Sequence, residues 1–245
     1  MSERKHGLLG KANPQFPVGL KDWKTYMKPG MELPSPPDVV NDYSKVAGWP
    51  MDGNDKYGDC TMAAAAHSIQ LWNAVTDRSD PEPTELSVVG EYLKLTHGAD
   101  SGLIESTVLK TWRSTGLWGN KIVGYAPVNV HDLNQLKQAI YVYGLAYVGI
   151  QMPQNAQTQF DDGKPWSLEE GWQSQPIVGG HAITIVGYDA QYLHVVTWDA
   201  VQSMAYDWWQ TYGDEAWAIL PQEFKEAGGY NNLNLVQLAA DLHSV

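Results

Sequence analysis

Three residues in this chain have the types and settings that acyl transfer needs: a lone cysteine, a histidine behind two glycines, and an aspartate ending a strand-like run. Cys60 is the only cysteine in 245 residues. It follows Gly58-Asp59, which read as a turn and an N-cap, and precedes Thr61-Met62 and the alanine run Ala63–Ala66 of a tightly packed helix. The thiol therefore falls in a first helical turn, where unpaired backbone N–H groups and the helix dipole favour a thiolate. An internal disulfide is ruled out, so Cys60 is either core filler or a nucleophile. A nucleophilic thiol requires an imidazole, and that ring requires an orienting group. His181 opens the run His181–Gly187 after Gly179-Gly180, and a second strand-like run covers Tyr192–Trp198. A hairpin centred on Ala190 pairs residues equidistant from it, which sets His181 against Asp199 on one face with Cβ atoms about 5 Å apart. An imidazole so held keeps its tautomer and gains basicity. His67 is two turns beyond Cys60 on the same helix, roughly 10 Å away, and reads as a packed or surface helix residue.

The elements that must position these groups change character along the chain. Residues 1–37 contain six prolines and little periodicity and read as an extended arm. Residues 38–130 read as a helical lobe, with helices at 59–76, 84–96 and 103–115. A further helix at 131–143, capped by Asp132, opens a β lobe at 131–222. There Leu145–Met152 suits a strand, 153–178 a long loop, and the two runs around Ala190 a hairpin. Residues 223–245 read as a helical tail, with an amphipathic segment at 231–243. Helices first and strands second imply an α+β fold rather than a parallel α/β sheet.

Composition limits what such a chain can do. Hydrophobic residues at 43% and charged residues at 18% describe a globular protein, and 11 Trp with 13 Tyr imply thick aromatic packing. The net charge of −12 is uneven: residues 1–28 carry a net of +4 and residues 146–245 a net of −10. So acidic a body argues against nucleic acid as a partner, while the basic arm can dock on that body or on another protein. No apolar run is long enough for a membrane span, and the N-terminus lacks the apolar core of a signal peptide, so cytoplasmic synthesis is the expectation. No phosphate-binding glycine loop or metal-ligand spacing occurs, so no cofactor is expected. Asp161-Asp162 and Glu169-Glu170 read as a solvated loop.

Two segments resemble the papain-like cysteine peptidase family. Asn54-Asp55-Lys56-Tyr57-Gly58-Asp59-Cys60 is similar to that family's Gln-Gly-x-x-Gly-x-Cys segment. Gly180-His181-Ala182-Ile183-Thr184-Ile185-Val186-Gly187-Tyr188 is similar to its His-Ala-Val-x-x-Val-Gly-Tyr segment. The resemblance runs from about Pro34 to Pro221. It implies a two-lobed fold, an N-terminal helical lobe against a C-terminal antiparallel β-barrel-like lobe, with the cleft between them. It also implies a Cys60-His181-Asp199 triad, with Asp199 in place of the orienting Asn. Asn54 falls at the oxyanion-binding Gln, one methylene shorter, and the Cys60 N–H would share that role. Thr61 replaces the Trp after the cysteine. Asp199-Ala200-Val201 replaces Asn-Ser-Trp, which leaves Trp198, Trp208 or Trp209 to shield the histidine. Residues 1–33 are too short and too Pro-rich for the family's helical pro-segment.

Two functions follow as expectations. One is a thiol hydrolase, by default a cysteine peptidase, acting on a peptide or other acyl substrate. The other is a structural or decoration protein of a phage particle on the same scaffold, virion-associated, with weak or no catalysis and with residues 1–28 as a tether to a particle or protein partner.

Overall fold

The computed structural model describes residues 7–10, 13–76, 82–226 and 231–244. Helix α1, Cys60–Thr76, runs through the centre of the molecule, followed by α2 (Glu85–Leu95) and α3 (Glu105–Ser114). Then come β1 (Ile122–Pro127), α4 (Leu133–Tyr143), β2 (Ala146–Pro153) and α5 (Gln154–Asp161). The hairpin strands are β3 (Ile177–Tyr188) and β4 (Tyr192–Thr197), continued by β5 (Ala200–Ala205), α6 (Tyr206–Tyr212) and β6 (Gly213–Pro221). Short α7 (Gln222–Glu226) and α8 (Leu235–His243) close the chain. The strands form one antiparallel sheet in the order β1-β6-β2-β3-β4-β5. This is mixed α+β, but the sheet is open, with β1 and β5 as edges, rather than the barrel-like lobe expected.

Helix α1 lies on β3, and small residues allow the approach. Ala63 to Ala66 are all buried. The Thr184 hydroxyl of β3 donates to the Ala64 carbonyl at 3.0 Å, and Ser68 donates to the same carbonyl at 2.8 Å. Tyr147 of β2 donates its hydroxyl to the Thr61 carbonyl at 2.8 Å, which pins the first turn. At the other end the Trp72 indole donates to the Tyr143 carbonyl at 2.8 Å. These bonds bury polar backbone groups with partners at both ends of the helix, and so fix its position along the sheet.

The arm is not separate from the body. Trp23 and Tyr26 are buried, and Trp23 meets Tyr143 edge-on with ring centres 5.5 Å apart. Tyr26 donates to Asp241 of α8 at 2.9 Å, and Lys24 and Lys21 reach Asp132 and Asp241 at 3.5 and 3.8 Å. Among the described residues, no helix is long and apolar enough to cross a membrane.

Candidate active site

Cys60 is the first residue of α1. The Asp59 carbonyl opens the helix by accepting from the Met62 and Ala63 amides at 2.7 and 3.0 Å. The Asp59 side chain turns back and accepts from Asn54 at 3.1 Å. His181 sits on β3, paired with Ile150 of β2. Both Cys60 and His181 line one cleft of about 140 Å³, with Gly180, Ala182, Glu105 and Glu215 among its walls. The backbone amides of Ala182 and Thr61 face the sulfur.

His181 is held on two sides. Its Nε2 is 2.8 Å from the Thr197 hydroxyl. The Trp198 ring stacks on the imidazole, with centres 5.0 Å apart and planes at 23°. Behind Trp198 stand Phe160 at 4.5 Å and Trp166 at 6.4 Å, so the ring that covers His181 is itself wedged in place. Trp198 is thus the shield; Trp208 and Trp209 are core residues, stacked on Trp166 and bonded to the Val130 carbonyl respectively.

The hairpin arithmetic holds only in part. Thr184 pairs with Val196 and Ile185 with Val195, as a centre at Ala190 requires, and a bulge then shifts Gly187 onto His194. Strand β4 stops at Thr197, however, because β5 folds back with Thr197 paired to Ala200. That leaves Trp198-Asp199 as a two-residue turn, with Trp198 at φ 50° and Asp199 exposed. Asp199 therefore lies in the turn beyond the end of β4, and the Thr197 hydroxyl is within hydrogen-bond reach of Nε2. The strand 200–205 that causes this was not anticipated.

Asn54 stands in the loop ahead of the helix. It is buried, and its amide donates to the Tyr57 carbonyl at 3.3 Å and to Asp59 at 3.1 Å, so both N–H groups serve the loop ahead of Cys60. His67 is a packed residue: Nε2 lies 2.8 Å from the Pro50 carbonyl, and burial pushes its proton affinity down to about 4.

The electrostatics run against a resting thiolate. Burial pushes the Cys60 thiol up to about 12, and Glu105 and Asp59 add to the rise, against the Ala182 and Thr61 amides. A helix N-terminus typically contributes only about 0.3–1 kcal/mol, which desolvation and two nearby acids outweigh. The enclosure comes partly from the arm. Leu9 accepts from the Gly180 amide at 3.3 Å, in a bridge one residue before His181. Its side chain lies over Gly58 and Gly102, and a Cβ on Gly58 would collide with it. Gly7, Leu9, Gly10 and Asn13 line the cleft beside Cys60. Sequence reading placed these residues in an arm and missed their contact with the site, as it missed Thr197, Glu105 and Glu215. The Gly-Leu-Leu-Gly run, apolar and conformationally permissive inside a basic segment, was the available signal for the first.

Comparison with solved structures gives the same fold. The chain superposes on xylellain, a cysteine protease from Xylella fastidiosa, with a TM-score of 0.67 at 17% identity, covering 90% of this chain and 98% of that one. It superposes on procathepsin B S9 from Trypanosoma congolense with a TM-score of 0.52 at 10% identity, covering 89% and 88%. No protein-family model and no curated protein matches the sequence. The fold is accordingly papain-like.

Proposed function

We propose that this chain is a papain-like thiol hydrolase of peptide bonds, at rest with its N-terminal arm across the cleft. The observation that carries the reading is the clamped imidazole. His181 is fixed between the Thr197 hydroxyl and the Trp198 face, in a cleft it shares with the only cysteine. A merely structural histidine has no need of a wall on the thiol. With Nε2 engaged by Thr197, Nδ1 is the nitrogen that exchanges protons.

The chemistry follows in two halves. Cys60 transfers its proton to His181 as the sulfur attacks the peptide carbonyl carbon, and the developing oxyanion lies at the helix start, where the Cys60 N–H belongs to the first turn and has no intrahelical acceptor. His181 gives the proton to the departing amine, leaving a thioester. Water then loses a proton to His181 and attacks the thioester carbon, and the sulfur leaves and is reprotonated. In this reading Thr197, and not Asp199, orients the ring, and Asn54 shapes the loop. A hydroxyl supplies direction without the charge of a carboxylate, so the imidazolium is stabilised less than in a Cys-His-Asp arrangement.

Incubation with an unfolded protein substrate tests the reading. The wild-type chain should release new peptide termini, and Cys60→Ala and His181→Ala should each abolish release. Cleavage that survives both substitutions would overturn it. The phage-decoration alternative draws on one observation, the high proton affinity of the thiol. Arg4, Lys5 and Lys11 of the proposed tether lie outside the described residues.

A further inference from the structure

Two glycines, Gly58 and Gly102, wall a slot in the cleft beside Cys60, and a chain of hydrogen bonds fixes the distance between them. The Gly58 amide donates to Asp100 Oδ1 at 2.9 Å. The Tyr92 hydroxyl donates to the same oxygen at 2.6 Å, and the Gly102 amide donates to that hydroxyl at 2.9 Å. Tyr92 stands on α2 and is fully buried. Burial and the Asp100 carboxylate push its phenol well above the ordinary value, so it keeps the proton it donates. The walls are therefore held from behind, and the slot needs no ligand to shape it. The arm shows what fits. Leu9 enters the slot: a Cβ on Gly58 would collide with its Cγ and Cδ1, and a Cβ on Gly102 would stand 3.5 Å from Cδ1. Its backbone is gripped as well. The Leu9 carbonyl accepts from the Gly180 amide at 3.3 Å in an antiparallel bridge, and passes so close to Gly179 that a Cβ there would press on it. Two residues earlier, Gly7 lies on the carbonyl oxygens of Asn54 and Tyr57 with φ 57°. A side chain at that point is excluded twice, by collision with both oxygens and by the left-handed backbone.

The groups that grip the arm all belong to the body of the protein, so an extended peptide with the same pattern can make the same contacts. We propose that the cleft selects peptide substrates that carry a Gly-x-Leu segment, and that Gly7-Leu8-Leu9 is a copy of that segment built into the chain. The substrate leucine fills the slot between Gly58 and Gly102, and its carbonyl takes the Gly180 amide. The substrate glycine crosses the Asn54 and Tyr57 carbonyls, where a bare backbone is required. The arm is then a tethered competitor for the site it covers, and a substrate must match its pattern to replace it. This rests on the thiol-hydrolase reading.

The test uses the full chain and three short peptides that differ only within the segments Gly-Leu-Leu-Gly, Ala-Leu-Leu-Gly and Gly-Leu-Ala-Gly. The arm competes equally with all three, so the ratios of their kcat/KM values report the cleft alone. The first peptide should be preferred over the second at least about tenfold, because the added Cβ has no space, and over the third at least about tenfold, because the slot stays unfilled. Gly58→Ala fills the slot and should bring the leucine preference down to about twofold while the glycine preference remains. Equal kcat/KM values for the three peptides, with cleavage lost in Cys60→Ala, would overturn the segment and leave the hydrolase reading intact. If no peptide is cleaved, the hydrolase reading falls. Calorimetry with the same peptides on the Leu9→Glu chain, which leaves the slot to them, then decides the segment by itself: an approximately tenfold difference in Kd supports it, and equal Kd values or no binding refute it.

Discussion

Cys60 should be slow to alkylate in the resting chain, and loosening the arm should speed it. An ordinary thiol ionises near 9.0, whereas Cys60 is pushed to about 12. At pH 8 the ionised fractions are then about 10% and about 0.01%, so reaction with iodoacetamide should be roughly 10³-fold slower than for the same thiol in the urea-unfolded chain. The perturbation is Leu9→Glu. Leu9 holds the arm through its bridge to Gly180 and its packing over Gly58 and Gly102. A carboxylate there enters a cleft already lined by Glu105, Asp214 and Glu215, and repulsion should release the arm. Cys60 is already partly exposed, and release of the arm brings more water to the sulfur, so the desolvation that dominates the shift falls and the rate at pH 8 should rise at least about tenfold, one tenfold step per 1.36 kcal/mol recovered. Mass spectrometry of the Cys60 peptide across pH 7 to 10 gives both rates. A folded wild-type chain that alkylates as fast as the unfolded one, or a Leu9→Glu rate identical to wild type, would refute the reasoning.

Other outcomes follow from neighbouring groups. Thr197→Val removes the partner of His181 Nε2 and should lower kcat/KM roughly 5- to 150-fold, the effect of about 1–3 kcal/mol for a stranded polar group, while Asp199→Asn in its exposed turn should stay within about twofold. Initial rates on one peptide substrate compare the two, and a larger loss from Asp199→Asn would return the orienting role to that residue. Asp52 is buried, both of its oxygens lack hydrogen bonds, and burial pushes its carboxyl to about 7 from 3.8. Since the folded state holds the proton more tightly, stability is full below about pH 4 and is lost as pH rises through 7, with a ceiling of ~4 kcal/mol. Asp52→Asn should therefore raise Tm by several degrees at pH 8 and hardly at pH 4, and an equal change at both would contradict this. Trp198→Ala should uncover His181 and raise KM little while lowering kcat; a change confined to KM would show that the ring serves substrate binding instead.

What was legible in the sequence was what short-range physics dictates. The expected helix at 59–76 is realised as Cys60–Thr76, because an N-terminal turn and an alanine run leave few alternatives. Thr84 caps α2 through Ser87, and Asp132 caps α4 through the Gln135 amide, both at the expected borders. Strand β2 was visible as an apolar run between Gly144 and Pro153, and β3 over His181–Gly187, although β3 begins earlier, at Ile177. Strand β5, Ala-Val-Gln-Ser-Met-Ala, was not, since its alternation is weak and its pairing with β4 decides it. That single omission left the turn at Trp198-Asp199 unread and hid Thr197. The acidic wall of the cleft was invisible for another reason: Glu105, Gly149 and Glu215 stand on three elements far apart in the chain, and only the fold brings them together.

The central claim is that Cys60 carries the acyl group and that His181 enables it. An activated ester of a short peptide, mixed with the full chain and quenched in acid within one turnover, should leave the acyl mass on the peptide that contains Cys60. The adduct should be missing from His181→Ala. An acyl mass on any other residue, or an undiminished Cys60 adduct in His181→Ala, would contradict the account.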